Sequence, residues 1–256
     1  MPRRAREMSE SGIYHIILRG TNKQEIFHDD EDSLRFIDIL KKYKKINNMK
    51  VYGWCLMGNH LHLLIGQGEE ELSVTMKRIG VSYAWYYNWK YNSTGHLFQD
   101  RYKSEKVDKD EYLLTVIRYI HQNPVKAGIA KKAADWEWSS CSGYYGYEYY
   151  PAGLLDSTLI LGMLSEDRET AIKKFIEYNE AKCEVKCLDD RKERLTDEEA
   201  KAEIAKIISL QEIAIIKSMP KAQRDPLILR IKSIEGISQR QAARILGVAP
   251  NLVIRA

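Results

Sequence analysis

The feature that most constrains this chain is a pair of short apolar runs joined by two turn-forming residues. The runs KVYGWCLM (50–57) and HLHLLIG (60–66) have the composition of strands, and Gly58 and Asn59 lie between them. Residues 50–66 are therefore predicted to form a β-hairpin. Because side chains alternate along a strand, His60 and His62 share one face of it, with their Cα atoms about 7 Å apart.

The flanking segments extend the hairpin into a β-α-β-β-α-β-α order. Hydrophobic periodicity predicts strands over 12–20 and 101–108 and helices over 29–47, 71–92 and 109–123, the last of them ended by Pro124. The order is the split βαβ pattern. The predicted fold class is α+β, a ferredoxin-like or RRM-like βαββαβ antiparallel sheet with helices on one side, followed by an all-α C-terminal region.

Composition excludes several classes of protein. The chain has 256 residues, of which 44 % are hydrophobic and 30 % charged, as is typical of a globular protein. The sequence has no run of 18 apolar residues, so no transmembrane helix is predicted. The basic N-terminus lacks the apolar stretch of a secretory signal. The four cysteines do not have zinc-site spacing and are expected to be reduced thiols of a cytoplasmic protein: Cys55, Cys141, Cys183 and Cys187.

Charge and pattern divide the chain into three parts. Residues 1–150 carry a net charge of +3, residues 151–217 of −4 and residues 218–256 of +5. Strand signals end near residue 150, so we predict a domain over 1–150, a helical linker region over 151–217 and a further domain over 218–256. The basic tail indicates a polyanionic partner, although a solvated helical surface would carry the same charges.

The last segment, ISQRQAARILGVAPNLVIRA (237–256), predicts two short helices around the turn GVAP. The first helix ends at Gly247, and the second begins near Asn251. Small residues at the crossing and a glycine in the turn favour a helix-turn-helix whose second helix enters a DNA groove, with an ordinary helical hairpin as the alternative. Arg240, Arg244 and Asn251 are its candidate DNA contacts.

The two strand histidines are candidates for a metal site. Burying two unpaired imidazoles on an apolar strand costs free energy, which favours a functional pair over two ordinary core residues. Two imidazoles leave open the coordination positions that a catalytic metal needs.

The helix 109–123 offers a candidate nucleophile. One polar face carries Tyr112, Thr115, Tyr119, Gln122 and Asn123, and the opposite side is expected to face the core. Tyr119 and Asn123 lie one turn apart, and an amide oxygen suits a hard divalent ion. The chain has 16 tyrosines, so a structural role for Tyr119 is the commoner expectation from spacing alone.

Five segments, taken together and in order, resemble the REP-associated tyrosine transposases of the HUH single-tyrosine, IS200-like superfamily. They are ILRGTNKQEIF (17–27), NHLHLLI (59–65), FQDRYKSEKVD (98–108), RYIHQNPVKAGI (118–129) and WEWSSC (136–141). The resemblance covers about residues 1–145. It implies that Tyr119 is the nucleophile, that His60 and His62 ligate a metal and that Asn123 is the third ligand.

The resemblance also implies a reaction. It is that of a metal-dependent single-stranded DNA endonuclease and strand transferase, acting on hairpin DNA through a 5′-phosphotyrosine with Mg²⁺ or Mn²⁺ as cofactor. A phenol has an ordinary pKa of about 10, so a nearby cation must favour the phenolate. Such an enzyme is expected in the cytoplasm at the nucleoid, with no membrane partner, as a monomer or a homodimer.

Basic and aromatic side chains are the expected DNA contacts. The basic candidates in the first part of the chain are Arg3, Arg4, Arg19, Arg101, Lys103 and Lys126. About half of the six aromatic residues between 83 and 91 are expected to pack in the core, and the others to stack on bases.

Two alternatives come from other functional classes. One is a sequence-specific DNA-binding regulator derived from a transposase, without strand-transfer activity. The other is an RNA-binding module, since RRM domains share the βαββαβ layout. Against the RNA-binding module, the histidine pair occupies the position where a stacking aromatic residue is expected.

Overall fold

The computed structural model describes residues 7–181, 195–208, 216–234 and 236–255. They form two compact units, Met1–Asp189 and Asp190–Ala256, and each unit has its own hydrophobic core. Arg3, Arg4, Cys183 and Cys187 lie outside the described residues. Cys55 and Cys141 are buried free thiols.

The first unit contains a four-stranded antiparallel sheet with the order β2-β3-β1-β4. Its strands are β1 (Ile13–Arg19), β2 (Lys50–Met57), β3 (His60–Gly66) and β4 (Lys103–Lys106). The hairpin β2–β3 turns at Gly58-Asn59, with Met57 opposite His60. The strand order is that of a ferredoxin-like βαββαβ fold, which confirms the prediction.

Two long helices, α1 (Asp30–Asn47) and α2 (Leu72–Lys90), connect strands, and a third, α3 (Asp110–Lys126), follows β4. The side chain of Asp29 accepts a hydrogen bond from the Asp32 amide and so caps α1. Lys90 near the end of α2 donates to both carboxylates, Asp29 and Asp32, and ties α1 to α2.

The prediction that α3 ends before Pro124 is wrong. The helix runs through Pro124 to Lys126. Proline already has a helical φ, and at this position only the last turn is left to disrupt. The side-chain amide of Asn123 donates to the carbonyl oxygen of Tyr119 and adds a bond to that turn.

Helices cover both faces of the sheet, rather than the one face predicted. Ile117 of α3 packs over Gly53 of β2, on the face that also carries His62. Ile16 and Leu63 point to the other face and are buried in the same core as Phe36 of α1 and Tyr83 of α2. Alternation along the strands thus puts His62 on one face of the sheet and Ile16 and Leu63 on the other.

The segment after residue 130 packs on the first unit. It contains the helices α4 (Cys141–Tyr144), α5 (Thr158–Gly162) and α6 (Arg168–Glu180). Leu154, Leu161 and Phe175 belong to the core of the sheet. Residues 151–181 therefore pack with the sheet. The division of the chain into three parts, with its functional labels, stays a prediction.

The second unit is helical in the residues described. Its helices are α7 (Asp197–Ala205), α8 (Lys221–Lys232), α9 (Gln239–Ile245) and α10 (Pro250–Arg255). Gly247 has φ of +64°, the left-handed conformation common just after a helix, and its amide donates to the Arg244 carbonyl. Ala242, Ala243 and Val253 share the core with Ile228 and Ile231 of α8.

Among the helices in the described parts of the chain, none is long and apolar enough to cross a membrane.

Gly53 permits the close approach of α3 to the sheet. A Cβ at this position would overlap Cδ1 of Ile117 and come within 3.3 Å of Oγ of Ser140. We expect Gly53→Val to lower the free energy of unfolding by about 1–3 kcal/mol, because Ile117 is fully buried and has no space to shift into. Urea unfolding at pH 7 measures this change.

The matched control is Gly162→Val. A Cβ at residue 162 has nothing within 4 Å, and the residue is exposed near the end of α5. This substitution is expected to change the free energy of unfolding by less than about 1 kcal/mol, because the new side chain meets no other atom and valine has a slightly higher helix propensity than glycine. Equal losses in the two variants would show that the contact between Gly53 and Ile117 does not hold α3 on the sheet.

Candidate active site

The two predicted histidines lie side by side on β3. His60 is opposite Arg19 of β1 and His62 is opposite Ile17, and the ring centroids of the two histidines are 5.1 Å apart. Both side chains point to the face covered by α3. The structure therefore brings together the pair that strand alternation predicted.

His62 is fully buried and neutral. Burial lowers the pKa of its imidazole well below the ordinary value of 6.5, and the neighbouring His15, His60 and Arg19 lower it further. Neutral imidazole is the form that binds a metal through a ring nitrogen. Burial therefore keeps His62 in its metal-binding form.

A third histidine, His15 of β1, joins this pair and was missed by the sequence reasoning. Its Nε2 lies 3.1 Å from Nδ1 of His62, and the ring centroids are 5.3 Å apart with an angle of 22° between the ring planes. His15 is opposite Leu64, so it is the diagonal neighbour of His62 across the two strands. Alternation along β1 already puts His15 and Arg19 on the same strand face. Once the strand register places Arg19 opposite His60, His15 must lie on the face of the histidine pair.

The tautomer of His60 follows from its neighbour Asn59. Nδ2 of Asn59 donates to the carbonyl oxygen of Lys23, so the other end of the amide is the oxygen Oδ1. This oxygen lies 2.6 Å from Nδ1 of His60 and can only accept. His60 therefore carries its proton on Nδ1, and its lone pair is on Nε2.

Tyr119 of α3 packs on the histidines. Its ring makes edge contacts with His62 and His15, at centroid distances of 5.8 and 6.0 Å. Nζ of Lys126 lies 4.5 Å from the centre of the same ring. Only 2 % of Tyr119 is exposed, so the expected polar, open face of α3 is closed at this residue.

Asn123 lies one turn after Tyr119 on the same side of α3. Its Nδ2 donates to the carbonyl oxygen of Tyr119, which leaves Oδ1 as the end of the amide that points away from the helix. Gln122, expected on the same polar face, is buried instead and donates to the carbonyl oxygen of Asn179.

The donor set fits a divalent cation. His60 presents Nε2, His62 is neutral, and Asn123 offers an amide oxygen one turn from Tyr119. Imidazole nitrogen favours Mn²⁺ over Mg²⁺ among the cations that also take amide and water oxygens. Within the described residues, no group of three or more His, Cys, Asp or Glu side chains could hold a metal. A cation here would thus need the amide, DNA or water to complete its ligands.

The structure gathers part of the predicted DNA-contact set around this site. Arg19 lies directly opposite His60, and Lys103 lies opposite Ile17 on the face that His62 shares. Lys126 covers Tyr119. Arg101 is exposed two residues before β4. In the second unit, Arg240 and Asn251 are exposed, and Arg244 pairs with Asp197.

The aromatic residues of α2 divide as expected between core and surface. Tyr83, Tyr86 and Tyr87 are buried, whereas Trp85 and Trp89 are 68 % and 70 % exposed. Base stacking by the exposed pair stays a prediction.

A buried hydrogen-bond network fixes α3 to the sheet and to α6. Nε2 of His121 hydrogen-bonds with Oγ of Ser140 at 2.9 Å, and Oγ in turn accepts from the backbone amide of Trp54 on β2. The Gln122 side chain is bonded to α6 through Asn179. Residues next to Tyr119 are thereby fixed both to the sheet and to α6.

Part of the chain matches a known protein family. The family model described as "Transposase IS200 like" matches residues 9–123, which are 115 of the 256 residues. This segment is therefore similar to the IS200-like transposases. It contains His15, His60, His62, Tyr119 and Asn123.

Solved structures with a similar fold were also found. One is described as a REP-associated tyrosine transposase bound to a REP hairpin, with 18 % identity, a TM-score of 0.49, and coverage of 59 % of this chain and 89 % of that chain. Another is a candidate transposase from Deinococcus radiodurans R1, with 19 % identity, a TM-score of 0.33, and coverage of 47 % and 96 %. Comparison with curated protein sequences finds no match.

The buried His121 makes the stability of the protein depend on pH. Burial lowers the pKa of His121 from 6.5 to about 3. Between these two values the unfolded chain binds the proton and the folded chain does not, so the free energy of unfolding falls as pH falls below about 6.5. The slope is at most about 1.4 kcal/mol per pH unit for one histidine. We expect His121→Gln to lose less stability than wild type between pH 7 and pH 5 in urea unfolding.

His62 acts in the same direction, so the variant retains part of the slope. His96 is exposed, and His96→Gln serves as the control with the slope of wild type. A slope for His121→Gln identical to that of wild type would mean that His121 is protonated in the folded protein.

Proposed function

We propose that this protein is a transposase, a metal-dependent single-stranded DNA endonuclease and strand transferase with Tyr119 as its nucleophile. The observation that supports this best is the contact of the Tyr119 ring with His62, with His60 beside it on the same strand. A phenol and two imidazoles thus lie together within one chain. His60, His62 and Asn123 are the proposed ligands of a Mg²⁺ or Mn²⁺ ion.

Tyr119 carries the covalent step. Its phenol oxygen attacks the phosphorus of a phosphodiester, a bond from oxygen to phosphorus forms, and the bond from phosphorus to the 3′ oxygen breaks. The phenol proton leaves, and the departing 3′ oxygen takes up a proton. The product is a 5′-phosphotyrosine and a free 3′-hydroxyl, and attack by another 3′-hydroxyl reverses the step and joins strands. The bound cation would supply charge neutralisation at the phosphate.

The burial of Tyr119 places a requirement on this reaction. A phosphodiester can reach the phenol oxygen only after part of the cover has moved. Lys126 is exposed and extends over the ring, so it is the side chain that can move at least cost. We propose that Lys126 leaves the ring to pair with a DNA phosphate, joining Arg19 and Lys103.

The proposed substrate is single-stranded or hairpin DNA. A strand must be flexible for its backbone to enter a site between a sheet and a helix, and basic side chains next to the histidines suit its phosphates. The similar structure described as bound to a REP hairpin supports the same class of substrate. An enzyme acting on such DNA would work in the cytoplasm, at the nucleoid.

The second unit supports a further DNA contact. Helices α9 and α10 pack in one core, with Ala242 and Ala243 on α9, and are joined across Gly247. These features support a helix-turn-helix. We propose that α10 reads DNA, with Arg240 and Asn251 as exposed contacts. The same feature favours the second candidate function, a DNA-binding regulator that does not transfer strands.

Adduct formation separates the two functions. Labelled hairpin DNA with a single-stranded flank, incubated with the full chain and Mn²⁺, is expected to give a denaturation-resistant covalent complex. Tyr119→Phe is expected to give none while binding the DNA with affinity within about threefold, since the substitution removes one oxygen atom.

Tyr112→Phe is the matched control, because Tyr112 lies on the same helix and is expected to keep the adduct. Tight binding by wild type with no adduct under any divalent cation would contradict the enzyme and favour the regulator. An adduct that persists in Tyr119→Phe would assign the nucleophile to another residue.

Removal of the proposed DNA contacts of the second unit is expected to affect binding and not chemistry. The double variant Arg240→Ala, Asn251→Ala is predicted to weaken hairpin binding at 0.1 M salt about tenfold or more, since each lost base or phosphate contact costs about 1–3 kcal/mol. At saturating DNA, the rate of adduct formation should match wild type. Fluorescence anisotropy and gel analysis measure the two quantities.

Lys201→Ala controls for charge, because Lys201 is an exposed residue of the same unit. Equal weakening by Lys201→Ala would indicate a general charge effect, and unchanged binding in the double variant would exclude α9 and α10 as a DNA-reading unit.

A further inference from the structure

We propose that His15 is a positioning residue that fixes the tautomer and the orientation of His62 as a metal ligand, with Glu105 stabilising the arrangement. This inference rests on the proposed function, because it assumes that His62 ligates a cation. His15 itself would not touch the cation or the DNA.

The geometry places His15 behind His62. Both imidazoles are fully buried on the same sheet face, and Nε2 of His15 lies 3.1 Å from Nδ1 of His62. The rings lie edge to edge, with an angle of 22° between their planes. The hydrogen bond between them holds the His62 ring in one rotamer, with Nε2 directed away from His15.

The proton between the two rings is bonded either to Nε2 of His15 or to Nδ1 of His62. Both nitrogens cannot carry a hydrogen at this distance, so one donates and the other accepts. If His62 ligates a cation through Nε2, its own proton must be on Nδ1. His62 then donates to Nε2 of His15, and His15 must carry its proton on Nδ1.

Glu105 is an acidic neighbour of Nδ1 of His15. Oε2 of Glu105 on β4 is 3.9 Å from Nδ1 of His15, and Glu105 is the direct partner of His15 in the β1–β4 register. The distance is too long for a direct hydrogen bond, so the carboxylate acts through its charge on the Nδ1–H group. The order from Glu105 through His15 to His62 is self-consistent at every atom.

His60 has an equivalent support, which strengthens the inference. Oδ1 of Asn59 accepts from Nδ1 of His60 and leaves Nε2 with its lone pair. Each proposed ligand histidine is thus held at Nδ1 by a neighbouring side chain, His15 of β1 for His62 and Asn59 of the hairpin turn for His60. Such supporting partners commonly change metal affinity or activity 10- to 100-fold when they are removed.

Histidine tautomers can be read directly by long-range ¹H–¹⁵N spectra of the ¹⁵N-histidine-labelled full chain with Mg²⁺. The expected result is that His62 and His15 both carry their protons on Nδ1. A proton on Nε2 of His62 would overturn the proposal. This measurement needs no substitution at His15 and does not depend on activity.

Mn²⁺ affinity of variants gives the second test. His15→Phe keeps the ring volume but cannot accept a hydrogen bond, and is expected to bind Mn²⁺ 10- to 100-fold more weakly than wild type by titration of free Mn²⁺ in electron paramagnetic resonance. His15→Gln offers an oxygen acceptor near the position of Nε2 and is expected to stay within about threefold. The exposed His96→Gln is the unchanged control, and circular dichroism checks folding.

The outcomes separate this inference from the proposed function. Wild-type Mn²⁺ affinity in a folded His15→Phe variant overturns the role of His15. Wild-type affinity in the double variant His60→Ala, His62→Ala instead overturns the metal site itself. If His15→Phe does not fold, the tautomer measurement on the unsubstituted chain still decides the question.

Discussion

The contact of a buried phenol with buried imidazoles is the interaction on which the rest of this site depends. Uncharged imidazoles and phenols are expensive to bury unless they are bonded, and here they are packed on one another between β1, β3 and α3. The contact exists only if α3 lies close to the sheet. Gly53 provides the space on one side, and the bond of His121 with Ser140 holds the helix on the other.

The support of the site extends past the segment that matches the family. The match ends at residue 123, in the last turns of α3. The partners that fix α3 come later in the chain, from Ser140 and from Asn179 of α6. Residues 133–181 therefore support the same compact unit as the sheet and α3, although they carry none of the proposed chemistry.

Local pattern was sufficient for most of the fold. The bounds of the hairpin follow from two apolar runs and a Gly-Asn turn. The position of His60 and His62 on the same strand face follows from side-chain alternation alone. The family resemblance followed from residues far apart in the chain and in the expected order. Its site roles stay predictions that the geometry supports.

The local sequence pattern could not predict the register of the strands or the burial of the site residues. His15 is a single histidine in an apolar strand, and only the pairing of β1 with β3 makes it a neighbour of His62. Tyr119 and Gln122 have the spacing of an exposed polar face, but Lys126 and α6 close over them. Proline normally ends a helix, but in the last turn, where Pro124 lies, it disrupts the fewest helical hydrogen bonds.

The location of the cation tests the central claim most directly. Crystals of the full chain grown with Mn²⁺, measured at the manganese absorption edge, would show the ion as an anomalous difference peak. The account predicts a peak within coordination distance of ring nitrogens of both His60 and His62, on the side of the sheet that faces Tyr119. A peak held by other residues, with none at this pair, would contradict it.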